Sequence, residues 1–264
     1  MTMVDIAALL AVYDAQMRIP PGAVPAGVTY EQDGPVLRIV GGHMGRIRAP
    51  RDVRVTGAAL DRLIARQRDY FGARGQGVEW KVRAHDLPTE LPERLAAAGF
   101  VPQEPSAVLI GFAEEVAEAP VLPDGVVLRQ VSEAEDLQRI AGQQTEVWGF
   151  DCSWVADDLV ARVAADPGQI TILVAEAGDV LICSAWAVYH PTTDFVALLG
   201  GTTLPAWQGR GLYRATLAAR AREAVTRGYR LLHVDASPHS APILRRRHFH
   251  EITTSTHYQW FPPT

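Results

Sequence analysis

Gln208, Gly209, Arg210 and Gly211 are the residues in this 264-residue chain whose types and spacing most clearly suit chemistry. They follow an apolar run, Phe195 to Thr203, and precede Leu212 to Arg227, where Leu217, Ala221, Ala224 and Val225 recur at helical spacing. Glycines let a backbone approach a ligand closely. The first N–H groups of a helix lack intrahelical partners, and the helix dipole puts partial positive charge beside them. Such a loop is suited to a phosphate, and Arg210 adds a planar, permanently charged fork. The same kind of turn also joins strands to helices where no ligand binds. A second pair lies on the apolar run Tyr229 to Ala236. His233 and Asp235 are one strand repeat apart and share a face, which suits either proton transfer or a buried pair. Tyr189 and His190 fall at the end of another strand-like run.

The elements that must position these residues follow from pattern. Ile6, Leu9, Leu10, Tyr13 and Met17 predict an amphipathic first helix. Pro20, Pro21 and Pro25 mark a loop. Three short strands follow, at Val28–Glu31, Val36–Val40 and Met44–Arg48, with a turn at Asp33-Gly34. Thr56 caps a helix to about Ala73, then come a strand to Val82, a short helix from Leu91, and strands near Phe100 and Val108–Phe112. Residues 114–125 read as an acidic, Pro-containing linker. Beyond it come a strand at Val126–Arg129, helices at Glu133–Trp148 and Trp154–Ala165, strands around Gly178, and then the loop, helix and strand above. Ser237-Pro238 starts a further helix, and Phe249 to Trp260 closes with strand. The order of helix, three antiparallel strands, helix, strand, helix, strand occurs in both halves, which predicts an internal repeat with units at 1–118 and 119–264.

Composition narrows the function. The formal net charge is −5 with no basic block, so no nucleic-acid partner is expected. No apolar run reaches the roughly 20 residues of a membrane span, and the N-terminus lacks the pattern of a signal peptide. Cys152 and Cys183 have no metal-site spacing, and no metal is expected. A soluble, cytoplasmic protein with no membrane partner is expected. Lys81 is the only lysine and carries no evident role.

The stretch TTLPAWQGRG resembles the pyrophosphate-binding motif of the GNAT acetyltransferase superfamily, (Arg or Gln)-x-x-Gly-x-(Gly or Ala), after a strand ending in x-Pro. Gln208 and Gly211 fit it; Tyr213 stands where a small residue is usual. ASPHSAPILRRRHF resembles the family's strand, short helix and Gly-Phe finish, with Ser237 for the common Asn, Leu244 where many members have a thiolate-protonating tyrosine, and His248 for the glycine. The whole chain resembles tandem GNAT proteins. The implied fold is α/β (α+β by some schemes): two GNAT-like units, each a mixed, mostly antiparallel sheet flanked by helices, with a splayed strand pair in the second. RAPRDVRVTG in the first unit has no such loop, which implies a degenerate copy.

The resemblance also implies acetyl-CoA as cosubstrate. The amides of Thr202, Thr203 and Leu204 would meet its pantetheine arm. Gln208, Gly209, Arg210, Gly211, Leu212 and Tyr213 would hold its pyrophosphate, with Ser237 nearby. It implies transfer of acetyl to a small-molecule or peptide amine. That amine must be neutral to attack, so a base is needed. Glu146, on the helix that borders the acceptor side in this family, is the first candidate, with Asp235 and His233 next; a solvated helix-end carboxylate is the alternative for Glu146. Trp148, Phe150 and Trp154 read as core packing or as an acceptor wall. The alternative to an enzyme is a non-catalytic CoA-binding or protein-interaction module, which Leu244 favours.

Overall fold

The structure is a computed structural model describing residues 4–18 and 22–263; Pro20 and Pro21 of the expected loop lie outside these. The first half begins with α1 (Ile6–Met17), capped by the Asp5 carboxylate, which accepts from the Ala8 N–H at 3.0 Å. β1 (Thr29–Asp33), β2 (Val36–Val40) and β3 (Gly45–Arg48) form an antiparallel meander, with Gly34 at φ 59° in the first turn. Next come α2 (Gly57–Gly72), β4 (Val78–Arg83), α3 (Leu91–Ala97), β5 (Val101–Pro102) and β6 (Ser106–Phe112). The expected linker opens with a short helix, α4 (Ala113–Val116), because Ala113 and Val116 find apolar cover there.

The second half runs β7 (Val126–Val131), α5 (Ala134–Trp148), α6 (Ser153–Ala165), β8 (Ile170–Ala177), β9 (Val180–Tyr189), β10 (Phe195–Thr203), α7 (Leu212–Thr226), β11 (Leu231–Ala236), α8 (Ala241–Arg245) and β12 (Phe249–Trp260). α8 starts later than Ser237-Pro238 indicated. Ser237 instead shapes the preceding turn, its hydroxyl accepting from the Ser240 N–H at 3.3 Å.

All the strands join one sheet, ordered β1-β2-β3-β4-β12-β6-β11-β10-β9-β8-β7, with β5 beside β12. The halves meet through exchanged strands. β6, from the first half, lies antiparallel to β11 along all of Leu231–Ala236. β12 pairs with β6 from Phe249 to Ser255, then with β4 from Ser255 to Trp260. Each half therefore completes the other's ladder.

On one face, α2 and α3 cover Ile47, Val78, Trp80 and Tyr258, while α7 covers Val196, Leu198, Leu232 and Val234. On the other face, α1, α5 and α6 cover Phe195, Ala197 and Leu231. Leu9, Tyr13 and Met17 of α1 pack on the second half's core. Burial of each contributes about 1.5–3 kcal/mol.

The exchange predicts that the halves depend on each other for folding. Residues 1–118 and 119–264 expressed separately should each lack a cooperative thermal transition by circular dichroism, because each leaves a long ladder unpaired. Co-expressed, they should associate. A cooperative transition from isolated 119–264 would contradict this.

Candidate active site

β10 and β11 run parallel and in register over three pairs only, Phe195↔Leu231, Val196↔Leu232 and Ala197↔His233, and then diverge. The divergence coincides with a bulge in β10 between Leu199 and Thr202, where Gly200 has φ 62°. A Cβ on Gly200 would lie 1.8 Å from the Trp186 ring, and one on Gly201 would lie 2.8 Å from the Tyr213 ring. Tyr213 thus turns back onto the sheet, which is how the helix start accommodates a large residue.

A buried polar network holds the bulge. The Gln143 carbonyl accepts from Ser184 Oγ at 2.8 Å and Thr202 Oγ1 at 2.9 Å. Gln144 Nε2 donates to the Gly200 carbonyl at 3.1 Å. From the opposite face, Arg220 of α7, 1% exposed, donates to the carbonyls of Trp186 at 3.1 Å and Leu199 at 3.4 Å. Sequence reasoning passed over all three. The available signal was a cation on the same helical face as Leu217 and Ala224, and adjacent glutamines on a helix face otherwise buried.

Alternation along β10 decides which amides face the gap. The Leu204 N–H is spent on the Ile182 carbonyl at 2.9 Å. Its amide therefore leaves the set expected to meet a ligand, and so by the same parity does that of Thr202. The Thr203 N–H points the other way, into the gap.

At the wide end of the gap, Gln208 Nε2 braces the loop by donating to the Thr203 carbonyl at 3.2 Å. Gly209 and Gly211 sit at φ 75° and 85°, and nothing lies within 4 Å of a Cβ placed on Gly209. Arg210 is exposed and stacks over the Trp207 ring at 4.7 Å. α7 has no side-chain cap and no acidic residue in its first turn, so the amides of Leu212 and Tyr213 are offered outward.

The equivalent place in the first half is filled by the chain itself. The Gly57 N–H at the start of α2 donates to the Glu90 carboxylate at 2.8 Å. That bond, with Arg94, holds Glu90 below the usual carboxylate range. β3 and β4 are also stitched where they would splay: Leu87 N donates to the Arg51 carbonyl and Val53 N to the Leu87 carbonyl, at 2.7 and 3.2 Å.

A cavity of about 380 Å³ lies between the halves on the α1–α6 face of the sheet. His233 and Asp235 line it, and His233 is also the last residue paired before the splay. The lone lysine, Lys81 of β4, reaches Asp235 at 2.5 Å, and Ser255 Oγ donates to the other carboxylate oxygen at 3.3 Å. Burial works to raise the Asp235 carboxyl, but Lys81 and His233 override it and hold it well below the usual range. His233 Nε2 lies 3.7 Å from Asp235, too far for a hydrogen bond. Both ring nitrogens are buried without a hydrogen-bond partner, and the ring leans on Tyr13 at 5.2 Å. Burial pushes the imidazole down against the pull of Asp235, so it is neutral at pH 7.

The structure does not bring Glu146 to this cluster. It is exposed on α5 and does not line the cavity. Trp148 and Phe150 are 52% and 59% exposed, so neither is core packing. Trp154 does line the cavity, stacked on His43 at 4.9 Å. Leu244 is fully buried against the α7-side core. Among the described residues no group of three or more His, Cys, Asp or Glu could hold a metal ion, and no helix is long and apolar enough to cross a membrane.

No protein-family model matches the chain, and neither does any curated protein sequence. Solved structures do match over its whole length. A GCN5-related N-acetyltransferase from Kribbella flavida shares 15% identity with a TM-score of 0.68, covering 100% of this chain and 98% of its own. A tandem GNAT protein from the clavulanic acid biosynthesis pathway shares 13% identity, TM-score 0.62, covering 98% and 95%. A GCN5-related N-acetyltransferase from Sphaerobacter thermophilus shares 17% identity, TM-score 0.60, covering 88% and 82%. With the splayed strands and the bulge, these likenesses establish a GNAT fold in mixed α/β form. It resembles the tandem members.

His190, at the end of β9, also lines the cavity and is 6% exposed. Burial, then Arg48 and His233, push its imidazole down from 6.5 to about 4. The folded value lies below the unfolded one, so the unfolded chain takes up this proton first. Stability is therefore present above pH 6.5 and lost as pH falls toward 4. Roughly 3 kcal/mol should disappear over that window. His190→Gln should flatten this part of a pH series of urea midpoints; an unchanged slope would reject the assignment.

Proposed function

We propose that this chain is an acetyl-CoA-dependent N-acetyltransferase, soluble and cytoplasmic, that moves acetyl directly to a primary amine. The observation that carries the reading is the course of the β10–β11 gap. At one end it opens onto uncapped amides at the start of α7. At the other it closes at His233, on the wall of the cavity between the halves. The site fits the cosubstrate on physical grounds. Diverging strands leave amides that need partners, and an open helix start favours an anion. Acetyl-CoA supplies an activated acyl thioester. The Thr203 N–H would pair with its amide arm, and Gly209, Arg210, Gly211, Leu212 and Tyr213 would hold its phosphates, with Ser237 flanking.

The acceptor amine enters from the cavity and must shed a proton as its nitrogen forms the new C–N bond. His233 is the base this geometry favours: neutral, buried, with a free ring nitrogen, and next to an anion that steadies the imidazolium it becomes. Asp235 acts behind it, because its own oxygens are engaged by Lys81 and Ser255. With Leu244 buried and apolar, the departing thiolate takes its proton from solvent. Leu244 also keeps a second reading in play, a non-catalytic CoA-binding module. A thiol-release screen of acetyl-CoA turnover against a panel of amines separates the two.

Calorimetry should find one acetyl-CoA site per chain, because Glu90 occupies the first half's equivalent. Arg210→Glu should weaken binding about tenfold or more, about 1.4 kcal/mol. Gly211→Asp is a poorer probe, since φ 85° already strains any side chain. Two equivalent sites, or unaltered affinity in the Arg210 variant, would sink the loop assignment.

The base is tested by two variants. His233→Gln should lower turnover roughly 10²-fold at neutral pH, with acetyl-CoA affinity kept and the loss shrinking as pH rises toward the amine's own pKa. Glu146→Gln should leave turnover unchanged. The reverse pattern would return the role to Glu146.

A further inference from the structure

The exchange of strands carries a charged face of the first half into the cavity. Arg46 and Arg48 alternate along β3, and Glu79, Lys81 and Arg83 alternate along β4, where Arg46 stands in register with Glu79. β12 continues that face through His257 and Ser255 to Asp235 and His233. All of these but Ser255 line the cavity, together with Asp158 and Arg162 of α6 and Asp166 just after it.

The chain's own donors already engage the cavity's carboxylates. Glu79 accepts from His257 at 2.8 Å and Gln259 at 3.2 Å. Asp235 is engaged by Lys81 and Ser255, and Asp158 pairs with Arg162 at 2.6 Å. Asp166 accepts from the Gly168 N–H and from Gln169. On the cationic side the balance differs. Arg46 is half-buried and makes no hydrogen bond or ion pair with any described residue. Burial and the neighbouring Arg83 push Arg48 down to about 10, with Arg46 adding to the crowding. Like charges gathered beside a cavity favour an anion entering it.

We propose that the acceptor is an amine that also carries a carboxylate, with the carboxylate held by Arg46 of the first half and the amine presented to His233 of the second. This rests on the acetyltransferase reading above and names its substrate class. Six cations and four carboxylates line the cavity, but Arg18 is already paired with Asp14 and Asp86, and the remaining excess of one suits a singly charged carboxylate better than a phosphate dianion. A guanidinium also matches a carboxylate with two parallel donors. The degenerate half thereby selects the substrate, from the strand face opposite its blocked helix start.

The test is binding, read apart from turnover. The full chain, saturated with CoA, is titrated calorimetrically with proteinogenic α-amino acids, with the amines left by removing their carboxylates, and with aminoalkyl phosphates. At least one amino acid should bind about tenfold or more tightly than its decarboxylated partner. Arg46→Gln should reduce that ratio by about threefold or more, and Arg46→Lys should restore part of it. Equal binding of the matched pairs, preference for the phosphates, no binding by any member, or a ratio untouched by Arg46→Gln would each overturn the proposal. If amino acids bind with this preference but acetyl-CoA is never turned over, the substrate class stands and the catalytic reading falls.

Discussion

Two adjacent parallel strands that stop pairing after three residues leave backbone donors and acceptors exposed inside a sheet, and the second half is built around that gap. The bulge at Gly200 and Gly201 turns β10 away from β11. Gln144 and Arg220 then satisfy backbone carbonyls beside the bulge, from opposite faces of the sheet, and Gln143 ties it down by accepting from the Thr202 and Ser184 hydroxyls. An unpaired buried polar group costs about 1–3 kcal/mol, so removing any of these side chains penalises the divergence directly. A buried arginine is costly in itself. Its place on α7 makes sense because carbonyls on two neighbouring strands need donors at one point.

The first half meets the same geometric problem and closes it. Its parallel pair, β3 and β4, is held together again beyond its paired residues by the Asp52–Leu87 bridge. Its helix start is neutralised by Glu90. A carboxylate of the chain sits on the free amide at that helix start. One half therefore leaves its strands apart and its helix start uncapped, while the other satisfies these groups internally and turns its opposite face, rich in arginine, toward the shared cavity.

Much of this was legible from residues alone. The glycine loop, the strand before it and the helix after it announced themselves through periodicity and turn chemistry, and the hairpin at Gly178 did likewise. His233 and Asp235 could be placed on one strand face by counting. The partners of that face could not. β6 and β12 read as ordinary strands, and alternation specifies which side of a strand is buried, never which strand lies beside it. Lys81 looked incidental because its partner Asp235 is distant in sequence and reached only through the exchange. Glu146 attracted notice by its place near a helix end, but helix phase turns it to solvent. His248 departed from the family's glycine, yet the backbone keeps the glycine-like conformation at φ 61°, at a cost of about 1 kcal/mol.

The shared strands also bear on how the chain is made. Synthesis runs from the N-terminal side, and β6 leaves the ribosome long before β11, its first partner. β4 waits longer still, until β12 has been translated. The sheet cannot be finished until β12 has been made, however well the first half's meander forms by itself. The nascent protein therefore carries open strand edges until then, the condition under which misassociation competes. Residues 249–260, made after every other strand described here, close both ladders in one event, and pairing between strands so distant in sequence is intrinsically slow.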